Sequence, residues 1–319
     1  MQLLKSSLKS NRIATLAVVL LAMAYVVPEL IGSKQSLQSA TNTSGGKTAA
    51  KTNARQNQLD LASFDAALSE VSFQLDDIRD GEPVPRFYVD RIPADILELN
   101  DVEKRKKTFI KLVLPQVLTV NEGIEVQRER LAGLLEKKAM GATLNENDRK
   151  WLQQLTIRYS EETVDPKALM EKVDIIPVSI ALAQAVEESG WGTSRFAREG
   201  NALFGQRVWS TGDGIVPEDR NEDETHEVRA FESIADSIRS YVHNLNVHPA
   251  YEEFREARAR SRAESSMETN GLQLLDTLHV YSEKGQEYVD NLRTLIQTNN
   301  FQDFEDAILV PEQLADNRP

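Results

Sequence analysis

Beyond residue 60, apolar residues recur three and four positions apart, the spacing of a helix with one buried face. In "LNDVEKRKKTFIKLVLPQVL", Val102, Phe109, Leu112 and Val113 carry that spacing, and Asp101 stands where an N-cap is needed. Pro115 lacks an amide hydrogen and is expected to kink or divide this helix. Ile124, Leu131, Leu134 and Leu135 continue the pattern as far as Gly141, a candidate C-cap. A shorter helix follows, with Trp151, Leu152, Leu155 and Tyr159 facing inward. "DPKALMEKVDI" opens on Asp165 as N-cap and Pro166 at the first helical position. "IPVSIALAQAVEESG" begins near Pro177 and closes at Gly190. Gly212, Gly214, Pro217 and Asn221 then break the chain, so short strands are expected within 206–231. Helical spacing resumes in "SIADSIRSYVHNLN", "PAYEEFREARARSR", "GLQLLDTLHVY" and "GQEYVDNLRTLIQ". The pattern predicts a mainly α body with one small hairpin-like insertion, and no internal repeat.

The N-terminus is patterned differently. Lys5, Lys9 and Arg12 precede an apolar stretch, and residues 13–31 span about 28 Å as a helix, roughly one bilayer core. It reads as an uncleaved transmembrane anchor. The alternative is a signal sequence, with Ala22-Met-Ala24 as the cleavage pattern. In either reading the basic tail, residues 1–12, stays in the cytoplasm and the rest crosses. Residues 33–58 are rich in Ser, Thr, Asn, Gln, Ala and Lys and hold no aromatic. Such a stretch cannot bury a core, and a disordered tether of that length reaches roughly 25–30 Å. Residues 60–160 follow as a helical, membrane-proximal segment whose expected role is packing or positioning.

Charge narrows the function. The chain of 319 residues has a net charge of -13, and the acid is concentrated after residue 60. An acidic body lacks the basic face that nucleic acid requires. With no cysteine, disulfides, thiolate metal sites and a cysteine nucleophile are excluded. His243 and His248 are five apart, "THEVR" is not a zinc motif, and no HExxH occurs. No metal and no cofactor are expected.

The helix over Val178–Ser189 carries the candidate chemistry. Val178, Leu182 and Val186 form its bulky apolar stripe. At about 100° per residue, Ala181, Gln184, Ala185 and Glu188 lie together beside that stripe. Glu188 therefore sits at the edge of the core, where desolvation raises a carboxyl's pKa as a general acid requires. The nearby helix C-terminus pushes the same way. Glu187 lies only about 20° farther from the stripe centre, so geometry barely separates the two. Gly190-Trp191-Gly192 turns the chain sharply and offers an indole beside the carboxyl as a sugar-stacking surface. Two adjacent glutamates at a helix end also suit a plain solvated face.

The longer stretch "ALAQAVEESGWGTSRFAREGNALFG" resembles the signature of the peptidoglycan glucosaminidase family, which includes autolysin domains, flagellar rod-associated wall hydrolases and Bax-type proteins. "VRAFESIADSIRSYVHNLNVHPAYEEFREAR" and "LHVYSEKGQEYVDNLRTLI" resemble its later segments. Asn244 to Tyr251 and the upstream "VEKRKKTFIKLVLPQVL" point to the Bax-type branch. The resemblance implies a lysozyme-like α+β domain over 165–310, with a helical core and a small β-hairpin lobe across a cleft. It implies hydrolysis of the β-1,4 bond after N-acetylglucosamine, with Glu188 as general acid and Glu187 without a catalytic role. Asn201 and Phe204, which match the family's Asn-Asn-Leu-Phe-Gly element except that Ala202 replaces its second Asn, are expected with Trp191 to line the cleft, and Phe204 also suits a plain core or turn role.

Glycoside hydrolysis usually needs a second carboxylate. The family's Thr-x-Glu-Tyr-like stretch is absent from "GIVPEDRNEDETHEVRAF", so Glu227, and after it Glu224, is the expected partner. If neither serves, the substrate's acetamido group acts as nucleophile and Tyr281 orients it. The expected partners are peptidoglycan strands and the inner membrane. The expected location is the bacterial inner membrane, single-pass, with the catalytic domain in the periplasm; signal cleavage would instead release it there. Two other functions compete. One is a non-catalytic wall-binding or scaffold protein. The other, an N-acetylmuramoyl-L-alanine amidase, is disfavoured by the lack of zinc ligands.

Overall fold

A computed structural model describes residues 59–208, 212, 214–217, 226–264 and 270–312. The anchor-or-signal segment at 13–31 and the tether at 33–58 lie outside them. Among the described residues no helix is long and apolar enough to cross a membrane.

The chain is mainly helical. Helices α1 (Leu61–Glu70) and α2 (Leu75–Arg79) lead through an extended stretch and a 3-10 turn (Ile96–Glu98) into the long α3 (Val102–Ala139). Asp101 caps α3 by accepting from the Lys104 amide, as its position predicts. Pro115 neither ends nor divides this helix. Its missing hydrogen bond costs about 3 kcal/mol. Phe109, Leu112, Val113, Leu114, Val117 and Leu118 are buried around it and outweigh that cost. Helices α4 (Glu146–Arg158) and α5 (Pro166–Lys172) follow, with Asp165 capping α5 through the amides of Lys167 and Ala168.

Helix α6 (Val178–Ser189) is the centre of the fold. A single buried stripe describes it too narrowly: every residue from Val178 to Val186 is buried. Ser179, Ala181, Ala183 and Ala185 are small enough for neighbours to approach on all sides. Its N-cap, Pro177, offers no side-chain acceptor. Glu305 serves instead, taking the Ser179 amide at 3.3 Å, the Ser179 hydroxyl, and the Gly271 amide at 3.2 Å.

After α7 (Arg195–Gly200) comes the sheet of β1 (Arg207–Val208), β2 (Gly214–Ile215) and β3 (Glu227–Arg229). It has three antiparallel strands in the order β1-β3-β2, more than the single hairpin the sequence suggests. Val228 is opposite both Arg207 and Ile215, so β3 is the central strand. Helices α8 (Ile234–Val247), α9 (Glu252–Glu264), α10 (Gly271–Leu274) and α11 (Gln286–Thr298) complete the body. Short 3-10 turns (Pro249–Tyr251, Leu275–Tyr281, Phe301–Phe304) join them.

Residues 60–160 share one core with the helices after 165. Phe64, Ile92, Phe109 and Leu131 belong to the same buried cluster as Leu182, Tyr241 and Phe301. Asn121 joins the two stretches, donating to the Ile176 carbonyl at 2.8 Å. So does Asp174, fully buried among Arg128, Arg258 and Arg262, with Arg258 itself fully buried. Val84 bridges Leu309, and Arg86 Nε donates to the Val310 carbonyl at 2.7 Å.

Candidate active site

Helix α6 ends on Glu187-Glu188-Ser189, and the backbone then turns through three consecutive residues with positive φ: Gly190 at 58°, Trp191 at 60° and Gly192 at 77°. For a tryptophan this is a strained conformation, which surrounding contacts must hold. Ser189 does so from inside the turn. Its hydroxyl donates to the Ala185 carbonyl at 2.5 Å and accepts from the Gly192 amide at 3.0 Å. The upstream segment holds it from outside: a Cβ on Gly192 would stand 3.0 Å from Ile92 and 3.1 Å from Phe109.

Glu188 emerges from the buried helix half-buried itself. Burial pushes its carboxyl up to about 8. The Tyr288 hydroxyl and the Lys284 ammonium pull it down, while the Glu187 charge adds to the rise. Four tyrosines from separate elements feel its charge: Tyr241 on α8, Tyr251 and Tyr281 on 3-10 turns, and Tyr288 on α11. Their rings form a wall. Tyr281 stacks on Tyr288 with centroids 5.6 Å apart, and Tyr251 lies 5.9 Å from Tyr281. Burial raises all four phenols far above their ordinary range. They are neutral donors at any working pH.

Glu187 turns to another partner, accepting from the Asn291 side chain at 3.3 Å. Phe204 lies flat on Tyr241, centroids 3.8 Å apart, and its carbonyl accepts from the Tyr281 hydroxyl at 3.2 Å. Phe204 is buried and supports the wall from behind.

The other expected residues have partners within the fold. Asn201 is fully buried, where substrate has no access. It ends α7 in a left-handed conformation and donates to the Phe231 and Glu232 carbonyls at 3.0 and 3.1 Å. The Trp191 ring packs against Phe109 and Phe301, with the Lys106 ammonium 5.6 Å from its centroid. These contacts fix the turn to α3 and to the Phe301–Phe304 segment. Glu227 is buried in β3, and its carboxylate accepts from the Gly212 and Gly214 amides at 3.1 and 2.9 Å. It braces the β1–β2 turn. Glu224, with Glu218, Asp219, Glu222 and Asp223, lies outside the described residues.

Sequence reasoning assigned no role to Tyr241, Tyr251 or Tyr288, and placed Gln184 beside Glu188 without using it. The signal for Gln184 was present: it stands one helical turn before Glu188, on the same face. The tyrosines come from α8, the turn just after it and α11, and only the fold brings them together. Among the described residues no cluster of three or more His, Asp or Glu is arranged to hold a metal ion.

The arrangement holds a protonated carboxyl at neutral pH among neutral hydroxyl donors, which suits proton donation to a leaving oxygen. Residues 165–301 match the family described as mannosyl-glycoprotein endo-beta-N-acetylglucosaminidase. Over 201 residues the chain is 33% identical to protein bax of Escherichia coli (strain K12), covering 61% of this chain and 70% of that protein. The solved catalytic domain of the autolysin Auto from Listeria monocytogenes is 15% identical, with a TM-score of 0.32 over 54% of this chain and 96% of that one. That likeness is too distant to carry an argument.

Proposed function

Since the chain belongs to the glucosaminidase family of glycoside hydrolases, in its Bax-type branch, we propose that it hydrolyses peptidoglycan at the β-1,4 bond after N-acetylglucosamine, with Glu188 as general acid. The observation that carries this reading is the environment of Glu188. Its carboxyl leaves a fully buried helix, keeps its proton up to about pH 8, and opens on a wall of neutral phenols. A helical body with a small three-stranded sheet suits the lysozyme-like arrangement expected of such enzymes.

In the first step the Glu188 O–H bond breaks as the glycosidic oxygen takes the proton and its bond to C1 opens. The positive charge growing at C1 then needs a nucleophile. Glu227 is committed to two backbone amides. This favours the substrate's own acetamido oxygen, which closes on C1; water then displaces it from C1 and gives a proton to the Glu188 carboxylate, which restores the acid. Tyr281, whose hydroxyl rests on the Phe204 carbonyl, is suited to orient that group. The N-terminal anchor or signal and the tether would put this chemistry in the periplasm, within reach of the wall.

The test is a zymogram on purified wall with mass spectrometry of the released ends. Wild type should yield N-acetylglucosamine reducing ends. Glu188→Gln should abolish lysis and Glu187→Gln should retain it. Muramic-acid ends, freed stem peptides, or equal loss in both variants would refute the assignment. Glycan stripped of its N-acetyl groups should resist cleavage; if it is cleaved as fast as intact wall, the acetamido step is wrong.

A further inference from the structure

Five buried residues, Gln184, Tyr241, Phe204, Tyr281 and Tyr288, close a circuit of contacts. Gln184 Oε1 accepts from the Tyr241 hydroxyl at 2.6 Å. The Tyr241 ring lies parallel to Phe204 within 6°, centroids 3.8 Å apart, and the Phe204 carbonyl accepts from the Tyr281 hydroxyl at 3.2 Å. On the other side, Gln184 Nε2 donates to the Tyr288 hydroxyl oxygen at 2.9 Å. The Tyr288 ring is parallel to that of Tyr281, again within 6°, at 5.6 Å. Tyr281 is thus held twice, by its hydroxyl along one arm and by its ring face along the other, and both arms start from the one Gln184 amide. An amide accepts with its oxygen and donates with its nitrogen, so it can serve both phenols at once. Gln184 stands in the stretch of α6 that is buried throughout. Tyr281 ends a 3-10 turn, and the residues from Glu283 to Glu287 after it are exposed or half-buried. Its own segment therefore gives the ring little to rest on.

We propose that Gln184 is a positioning residue for Tyr281: through the two arms it carries the rigidity of α6 to the Tyr281 hydroxyl. This rests on the reading of Tyr281 as the group that orients the substrate's acetamido. Gln184 and Tyr241 have no exposure, whereas Tyr281, at 5%, has the most of the five. Substrate can therefore meet the circuit at Tyr281 and not at the amide. Orientation matters most as the acetamido oxygen closes on C1, and a misplacement of about 1 Å at such a contact can cost about a hundredfold in rate. Loosening the circuit should therefore lower kcat and leave KM nearly alone, because the contact tightens in the transition state rather than on binding.

A double-mutant cycle tests this, with kcat and KM measured on purified wall using the full chain. Gln184→Met keeps the length and lacks the amide; it should lower kcat roughly tenfold with KM little changed. Tyr281→Phe keeps the ring and removes the hydroxyl, and should lower kcat by at least as much. In the Tyr281→Phe background Gln184→Met should cost less than about twofold, since no hydroxyl is left to position. A merely structural role, or one exerted on Glu188 directly, would lower kcat by the same factor in both backgrounds, and that result overturns the proposal. A Gln184→Met enzyme with wild-type kcat does so too. Near-UV circular dichroism shows whether Gln184→Met folds. If it does not, Tyr241→Phe takes its place: it keeps the ring against Phe204, loses only the bond to Gln184, and should cost roughly threefold in wild type and nothing in Tyr281→Phe. Equal factors with Tyr281→Phe impaired overturn the positioning role alone. A Tyr281→Phe enzyme as active as wild type overturns the acetamido reading beneath it, and the positioning role with it.

Discussion

Gly192→Ala probes how the upstream segment holds the site. At φ 77° an alanine enters the left-handed region, at a cost of about 1–2 kcal/mol. Its Cβ would also stand 3.0 Å from Ile92 Cδ1 and 3.1 and 3.2 Å from two Phe109 ring carbons. Both side chains are essentially without exposure, so neither has space to swing aside. Overpacking of that kind costs about 1–3 kcal/mol. Together the two terms come to roughly 2–5 kcal/mol. For a body of this size that lowers Tm by roughly 5–15 °C. The same change should disturb the Gly192 amide and the Ser189 hydroxyl it caps, and with them the backbone next to Glu188. Lysis at a temperature where the variant is still folded should fall about tenfold or more. Circular-dichroism melting and a turbidity assay measure both. A second background separates the two costs. In Phe109→Leu the ring is gone, so the steric part should shrink while the left-handed part remains, giving a coupling of about 1 kcal/mol in a double-mutant cycle. A Gly192→Ala protein that melts within a degree of wild type would refute the reasoning. So would strict additivity with Phe109→Leu.

Glu188→Gln should stabilise the protein in a pH-dependent way. The native state holds the Glu188 proton up to about pH 8, against 4.5 for an unperturbed glutamate, so wild-type stability falls between those values. The Tm advantage of the glutamine variant should be absent below pH 4.5, grow through that window, and level off above pH 8; a constant offset would contradict it. Asp174→Asn leaves the fully buried Arg258 without its counter-charge and should cost about 3–5 kcal/mol in urea unfolding, whereas a loss under 1 kcal/mol would mean the arginines find other partners. Glu227→Gln should lower Tm by weakening the clasp on Gly212 and Gly214, with activity falling only in step; complete loss of lysis at unchanged Tm would instead mark Glu227 as the nucleophile.

Local signals were the most legible part of the chain. Asp101, Asp165 and Gly190 cap helices where their chemistry says they should. Where the fold departs from expectation, tertiary contacts outweighed a local rule. Pro115 does not divide α3, because the helix is buried on both sides of it. Helix α6 shows one bulky stripe, yet small residues on its other faces admit neighbours all round. The expected hairpin is a three-stranded sheet because β3 returns between the other two. At the site, Glu188 was reachable from helix geometry and resemblance. Of its tyrosine wall only Tyr281 was, through the resemblance, because Tyr241, Tyr251 and Tyr288 share no local pattern. Asn201 and Glu227 looked available because their type and position suited catalysis. Only the structure shows their side chains already bonded to backbone groups.

The bridge between Val84 and Leu309 bears on the order of folding. The Val84 amide donates to the Ile308 carbonyl at 2.8 Å, the Val310 amide donates to the Val84 carbonyl at 2.9 Å, and Arg86 reaches Val310 across 224 positions. Glu305, from the same late segment, supplies the acceptor for the start of α6. A chain emerging from its N-terminus therefore cannot close its early part until the late residues arrive. Helices can form and dissolve along the way, but the cooperative step must wait, because loops of that length have to close before their contacts repay the entropy. Under the proposed export to the periplasm, this delay would keep the chain unfolded, and so transportable, until nearly all of it is through.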